Sequence, residues 1–200
     1  MAYAARLSVY SSGEQQRLAA EFVKYILQRA EKEGGAVYEK ATRIVEEGKE
    51  RGSLTLKGFE MRVEVDGEKY KVKVIDGEAV EEVRGGRKLL RIKITAEVGR
   101  VEGEHIVDRV VHEYTITFGR YGDDNAARGY AYVRADAPGG READAERLAA
   151  VIEALTCVKP WIRRRSGGKI EIVCGREHLD GFRRYTELAD AIEKWLRETE

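Results

Sequence analysis

Apolar residues recur at helical spacing over the first 52 residues. The segment SSGEQQRLAAEFVKYILQRAEKEGG has Ser12 near its start, carries Gln15 three residues after it and ends at a glycine pair, which is typical of a capped amphipathic helix. Its apolar stripe consists of Leu18, Phe22, Tyr25, Ile26 and Ala30. A second stripe follows the glycine pair and consists of Val37, Ala41, Ile44 and Val45. Residues 1–52 are therefore predicted to form an N-terminal helical hairpin.

From residue 53 the period changes to two. The segment FEMRVEVDGEKYKVKVI has apolar residues at every second position on both sides of Asp66-Gly67, a dipeptide that favours a type I′ turn. KLLRIKITAEV and HEYTITFGRYG continue this alternation. Residues 53–122 are predicted to form about four antiparallel strands with one polar face. The segments VRGGRK and VGRVEGEH are predicted to be charged, glycine-rich loops.

Residues 123–200 have the pattern of a β-α-β-β-α unit. A strand, YAYVRADA, precedes the turn PGG and the helix READAERLAAVIEALT, and a hairpin then leads to a final helix in REHLDGFRRYTELADAIEKWLRE. One stripe of the final helix consists of Leu179, Phe182, Tyr185, Leu188, Ala189, Ile192 and Leu196. The sequence thus predicts an α+β fold in three regions, 1–52, 53–122 and 123–200, of which the last two could form one continuous domain.

Composition removes some classes of protein from consideration. Lys and Arg together number 36, and so do Asp and Glu, so the formal net charge is zero and any binding of a polyanion must be local. No signal peptide and no long apolar run is visible, which predicts a cytoplasmic protein without membrane contact. Charged residues make up 36% of the chain and Asn occurs once, a composition typical of thermophiles. A disulfide between Cys157 and Cys174 is left open.

The segment KPWIRRRSGGKIEIV, residues 159–173, is the main candidate site. Ser166 to Gly168 separates two runs that alternate, which predicts a β-hairpin. One face is apolar, and the other would carry Lys159, Trp161, Arg163, Arg165, Lys169 and Glu171. Guanidinium groups bind phosphates, and a tryptophan offers a plane on which any base can stack. Alternatively, Arg163 and Arg165 pair with Glu171 across the strands and protect a sheet edge.

Other motifs give weaker indications of chemistry. APGGRE, residues 137–142, could hold a phosphate at a helix N-terminus, but a plain strand-to-helix turn explains it as well. Asp123 and Asp124 in GDDN could bind a divalent cation, although adjacent acids more often cap a turn. No nucleophile or metal-ligand set has a recognisable spacing. The sequence therefore predicts no catalytic residues, no bound metal and no cofactor.

Long stretches of the chain resemble PaRep proteins, a paralogous family of hyperthermophilic crenarchaea. The resemblance covers roughly residues 53–198 and rests on LKGFEMRVEVDGEKYKVKVI, TITFGRYGDDNAARGYAYVRADAPGGREADAERLAAVIEALT and KIEIVCGREHLDGFRRYTELADAIEKWL. That family has no known function, so the resemblance implies an origin and brings no site residues with it.

The order of elements after residue 122 also resembles the later part of the LAGLIDADG homing endonuclease unit, whose sheet reads DNA. The family's defining helix, which ends in a metal-binding acid followed by glycine, is missing from this sequence. The resemblance therefore implies contact with nucleic acid more than cleavage.

Three functions are consistent with the sequence. The first is a non-catalytic DNA- or RNA-binding protein that uses Lys159, Trp161, Arg163, Arg165 and Lys169. The second is a protein-interaction or dimerisation module that uses the amphipathic N-terminal helices. The third is a metal-dependent nuclease centred on Asp123 and Asp124.

Overall fold

The computed structural model describes residues 1–10, 13–50 and 52–199. The helices are α1 Ala2–Tyr10, α2 Gly13–Glu33, α3 Gly35–Glu50, α4 Gly140–Thr156, α5 Arg176–Phe182 and α6 Thr186–Thr199. The strands are β1 Glu60–Val65, β2 Glu68–Arg84, β3 Arg87–Glu102, β4 His105–Tyr121, β5 Ala126–Tyr132, β6 Trp161–Arg164 and β7 Ile170–Cys174. The predicted α+β class is confirmed.

The described part of the N-terminal region contains three helices rather than a simple hairpin. The nine-residue helix α1 was not predicted, because it is too short to show a clear period. It packs against α3, where Gly48 lies so close to the backbone of Ala2 that a Cβ would come within 2.4 Å of the Ala2 carbonyl oxygen. Ala5, Val23 and Val45 form a small core of their own. The predicted N-cap, Ser12, lies outside the described residues.

A single antiparallel sheet of seven strands contains every strand of the described chain, in the order β1-β2-β3-β4-β5-β7-β6. The predicted Asp66-Gly67 hairpin is confirmed: both residues have positive φ, 50° and 90°, and Val65 pairs with Glu68. The predicted loop VRGGRK is instead a tight turn, in which Gly85 and Gly86 have positive φ and Arg84 pairs with Arg87. Glu102 pairs with His105 in the same way, so the middle strands are longer than predicted.

Helix α4 is buried along most of its length, and the sheet curves around it. Buried side chains lie on both faces of the helix, with Leu148 and Leu155 on one side and Ala150 and Ala154 on the other. The helix contacts β1 near one edge of the sheet and β7 near the other. This curvature brings the β1–β2 turn close to the segment before β6, where the Lys159 ammonium lies 2.9 Å from the Asp66 carboxylate.

The final helical region is divided, although a single helix was predicted. Helix α5 ends at Phe182, and α6 begins at Thr186 after a short connection. Gly181, in the last turn of α5, lies so close to Thr156 of α4 that there is no room for a Cβ at this position. The apolar stripe from Leu179 to Leu196 is nevertheless buried, as predicted.

All helices of the sheet-containing region that contact strands lie on one face of the sheet. The covered face of β3 and β4 contains Leu90, Ile92, Ile94, Ile116 and Phe118. The opposite face is polar, as predicted, and carries side chains such as Lys93, Thr95 and Thr115. This uncovered face is the broad surface on which a ligand could lie, and we call it the open face.

The N-terminal helices dock onto α6 through polar groups. Arg6 forms an ion pair with Asp190, and the Arg197 guanidinium lies 5.0 Å from the centre of the Tyr3 ring. The Gly52 amide donates a hydrogen bond to the Arg183 carbonyl at 2.9 Å. The small N-terminal core is thus separate from the core beneath the sheet.

Candidate nucleic-acid interface

The predicted hairpin consists of β6 and β7 and forms one end of the sheet. Arg164 pairs with Ile170, and Gly167 and Gly168 in the turn have φ values of 79° and 69°, which favour glycine. The alternation places Trp161 and Arg163 on the open face, and Trp161 is 66% exposed. On the covered face, Ile170, Ile172 and Cys174 are buried. Glu171, expected on the exposed polar face, is buried at 6% exposure.

Several of the hairpin's cations already have carboxylate partners. Lys159 pairs with Asp66 and Arg165 with Glu171, each at 2.9 Å. Hydrogen bonds to these carboxylates raise the pKa of both basic groups. The ion pairing proposed as the alternative explanation of the hairpin is therefore present for Arg165. The local positive charge is smaller than the sequence suggested.

Two of the five predicted site residues remain as cations without a carboxylate partner among the described residues. These are Arg163 and Lys169, both exposed. A third such cation, Arg84, was not predicted, and it lines the groove described below. The structure therefore places Trp161 and Arg163 close together, with Lys169 at the nearby turn. Lys159 and Arg165 are each neutralised by a carboxylate.

Two contacts hold the hairpin against the first turn of α4. The Arg164 guanidinium binds both carboxylate oxygens of Glu142, at 2.8 and 3.2 Å. The Arg141 guanidinium donates to the Gly168 carbonyl at 3.2 Å. We call these two contacts the latch. The segment APGGRE thus forms a strand-to-helix turn, in which Gly139 and Gly140 have positive φ and Arg141 and Glu142 position the hairpin.

Strand β5 adds two tyrosines to the same face. Tyr130 pairs with Val173, which pairs with Trp161, and Tyr132 pairs with Glu171, which pairs with Arg163. Apart from Val173, every side chain in these two cross-strand rows is aromatic or charged. The Tyr132 side chain is 71% exposed. We call Tyr130, Tyr132 and Trp161 the aromatic platform. The sequence signal was the alternation in GYAYV, but the pairing of β5 with β7 is not visible in the sequence.

A groove of about 630 Å³ lies beside the aromatic platform. Its lining consists of Arg84, Leu89, Thr115, Thr117, Tyr121, Tyr130, Ala131, Tyr132, Arg165 and Glu171. The ring of Tyr121 meets that of Tyr130 edge to face at 5.2 Å. The groove thus combines aromatic rings, hydroxyl groups and guanidinium groups.

Glu171 lies beneath the aromatic platform and supports it. Arg165 neutralises its carboxylate, and partial burial together with the Glu171 charge raises the pKa of the Tyr132 phenol. The phenol therefore stays protonated near neutral pH. Because its charge is matched by Arg165, Glu171 adds little repulsion toward an anion that lies on this face.

Asp123 and Asp124 lie in the turn between β4 and β5. The Asp124 carboxylate pairs with Arg128 at 2.9 Å and accepts a hydrogen bond from the Ala126 amide at 3.3 Å. No group of three or more His, Cys, Asp or Glu side chains able to hold a metal occurs in the described chain. Asp124 is therefore bound within the turn, as is common for such acids.

The two cysteines are both free thiols. Cys157 is exposed at the C-terminal end of α4, whereas Cys174 is buried in the core. Burial raises the pKa of the Cys174 thiol to about 12, so it stays protonated and unreactive. Cys157 and Cys174 are not joined by a disulfide.

Comparison with protein-family models, curated proteins and solved structures gives no match for this chain. The resemblances to PaRep proteins and to LAGLIDADG endonucleases therefore stay predictions. None of the helices in the described ranges is long and apolar enough to cross a membrane.

Proposed function

We propose that the protein binds nucleic acid without cutting it, through the part of the open face formed by β5, β7 and β6. The observation that carries this proposal is the arrangement of Trp161, Tyr132 and Arg163. Two exposed aromatic rings lie on one face with a guanidinium that has no carboxylate partner in the described chain. Stacking of a base on an aromatic ring contributes about 1–3 kcal/mol, and a guanidinium binds phosphate well.

The rest of the open face is less suited to an anion. On β2 and β3, Lys93 pairs with Glu78 at 2.7 Å, and Arg91 pairs with Glu82 at 2.6 Å. These carboxylates cancel the positive charge along that half of the sheet. Arg84, Arg163 and Lys169 have no carboxylate partner in the described chain and lie toward the aromatic platform or the hairpin. Arg62 on β1 also has none, but the pocket that it lines contains no aromatic ring, which favours binding at the hairpin end.

A non-catalytic role fits the state of the acidic residues. A nuclease needs carboxylates that converge on a metal ion and a water. Asp124 instead binds Arg128 and a turn amide. We therefore rank binding above the metal-dependent nuclease as the function.

The proposal is tested by titrating labelled DNA and RNA at two salt concentrations. Neutralising two to three phosphates gives a slope of about −2 in log affinity against log salt, much shallower than for a protein with a broad basic surface. The double variant Arg163→Ala, Lys169→Ala is expected to weaken binding about tenfold and to flatten this slope. Arg62→Ala on β1, which removes another exposed arginine, is the matched control. Identical titrations for the wild type and the double variant would contradict the proposal.

A second candidate function, an interaction or dimerisation module, is favoured by one feature of α2. Leu18, Phe22 and Tyr25 are 46–55% exposed and lie on one side of that helix. Most other large apolar side chains of the described residues are buried or half-buried. Three neighbouring exposed apolar residues on one helix are typical of a surface that pairs with another chain.

A further inference from the structure

The ring positions on the open face restrict which form of nucleic acid can bind. Trp161 on β6 and Tyr130 and Tyr132 on β5 are separated by β7. Since neighbouring strands lie about 4.8 Å apart, positions two strands apart are separated by roughly 10 Å. Arg163 occupies the same cross-strand row as Tyr132, and Trp161 occupies the next row. The two most exposed rings thus lie on either side of β7, with a guanidinium beside them.

An exposed ring on a sheet can stack only on a base whose plane is accessible. In a duplex the base planes are covered by their neighbours, and a protein meets base edges and phosphates instead. Unpaired bases present their planes, and aromatic side chains bind them with little preference for sequence. The aromatic platform is therefore suited to unpaired bases.

The small number of basic side chains without a carboxylate partner near the aromatic platform also favours a single strand over a duplex. Duplex DNA carries one negative charge for each 1.7 Å or so of its axis, and duplex-binding proteins commonly neutralise many phosphates at once. Here Lys159, Arg164 and Arg165 are engaged by carboxylates. A short single strand, anchored by stacking and by one or a few phosphates, matches this charge.

We infer that the ligand is a single-stranded nucleic acid, with unpaired bases stacked on Trp161 and Tyr132 and a phosphate bound to Arg163. This inference rests on the proposed function, which requires only that some nucleic acid binds at this end of the sheet. The latch fixes the hairpin to α4 and so holds Trp161 and Arg163 in position before the ligand arrives. RNA and DNA share the stacking chemistry, and the experiment distinguishes them.

The two tryptophans provide a direct measurement. Trp161 is exposed, whereas Trp195 is fully buried and donates its indole N–H to the Lys88 carbonyl at 3.2 Å. A base that stacks on Trp161 should quench the red-shifted part of the emission and leave the blue-shifted part from Trp195 unchanged. The probes are an oligothymidylate of about 12 nucleotides, an RNA of the same length without self-complementarity, and a blunt duplex.

The variants separate stacking from general attraction. Trp161→Ala and Tyr132→Ala are each expected to weaken single-strand binding about tenfold. Trp161→Phe keeps a ring and should retain affinity within about threefold, while the quenching signal disappears. Tyr38→Ala removes an exposed tyrosine from α3 and is the matched control. Because the side chains of Trp161 and Tyr132 are exposed, thermal unfolding should show that every variant stays folded.

Each outcome decides between the two proposals. Single-strand binding that depends on Trp161 and Tyr132 supports the inference, and the relative affinities of the two single strands identify RNA or DNA as the preferred ligand. Duplex binding that depends on Arg163 but not on the rings would overturn the inference and leave the proposed function standing. An absence of binding to all three probes would overturn the proposed function itself.

Discussion

At the scale of single residues, His178 couples the fold to pH. The Gly175 amide donates to His178 Nδ1 at 3.0 Å at the start of α5, so the imidazole must be neutral to accept this bond. Burial lowers the pKa of His178, and the nearby Glu177 carboxylate opposes that change only in part. His178 therefore binds a proton less readily in the folded state than in the unfolded state.

The expected result is a loss of stability on acidification. At pH values well above about 6.5, the ordinary pKa of histidine, both states are neutral at His178 and no stability is lost. Below that pH the unfolded state binds more protons than the folded state, so the free energy of unfolding falls as the pH falls. Denaturant unfolding between about pH 7.5 and 5 measures this change.

The variant His178→Gln should reduce the pH dependence, because a glutamine at the third helical position can accept the same bond without titrating. His105→Gln, at an exposed position, is the control and should keep the wild-type slope. His112 is also partly buried and contributes in the same direction, so some slope should remain. A His178→Gln profile that overlays the wild type would exclude His178 as the source.

Some properties of single residues could be predicted from the sequence, and others could not. The face of Trp161 followed from alternation, since a strand places successive side chains on opposite sides. The burial of Glu171 did not follow, because it depends on Arg165 and on Tyr132 of a strand about 40 residues earlier in the chain. The partners of Lys159 and Arg164 are Asp66 and Glu142, which lie 93 and 22 positions earlier in the chain. Their neutralisation could not be inferred from local composition.

At the scale of elements, the hairpin of β6 and β7 depends on its latch to α4. Strand β6 is short, forms the end of the sheet and, among the strands that the structure describes, pairs only with β7. The Arg164–Glu142 pair and the Arg141–Gly168 hydrogen bond connect it to a helix that is itself well buried. The position of Trp161 and Arg163 therefore depends on contacts made on the opposite side of the strand.

Breaking the latch should let β6 open more often, while the free energy of unfolding of the whole protein barely changes. Ion pairs between exposed groups contribute little to that free energy. We expect Arg164→Ala to increase amide hydrogen exchange in β6 and to weaken nucleic-acid binding a few-fold, with an unfolding temperature close to wild type. Arg17→Ala breaks the exposed Arg17–Glu21 pair on α2 and should change neither property. Unaltered exchange in β6 would show that strand pairing alone holds the hairpin.

Elements built from local signals were predicted well. The Asp66-Gly67 turn, the hairpin at Ser166 to Gly168 and the apolar stripe of the last helices all follow from spacing within a few residues. The insertion of β7 between β5 and β6, and the break before Thr186, depend on contacts between distant segments. Local periodicity contains no information about such contacts.

At the scale of the whole molecule, the N-terminal helices form a unit with a thin core. Ala5, Val23 and Val45 are buried in it, yet larger side chains such as Leu18 and Phe22 are about half exposed. Its contacts with α6 include the Arg6–Asp190 ion pair and the Arg197–Tyr3 cation–π contact. Such a unit leaves apolar surface available for a second chain.

The second candidate function predicts that two copies pair through α2. Light scattering should then give the mass of a dimer for the full chain and that of a monomer for Phe22→Glu, because a charge at the centre of an apolar contact is costly to desolvate. Val83→Glu, at an exposed apolar position on β2, is the control and should remain dimeric. A monomeric wild type would remove self-association through α2 from consideration.

The burial of α4 within the curved sheet has a consequence for synthesis on the ribosome. Strands β1 to β5 can pair as soon as residue 132 has emerged, since each is joined to the next by a short turn. The apolar face of these five strands would then remain exposed to solvent until α4 and α6, which pack against it, are translated. During this interval Ile92, Ile94 and Ile116 would be accessible to chaperones or to other nascent chains. Newly made chains truncated just after Tyr132 should therefore aggregate, although most of their strands are complete.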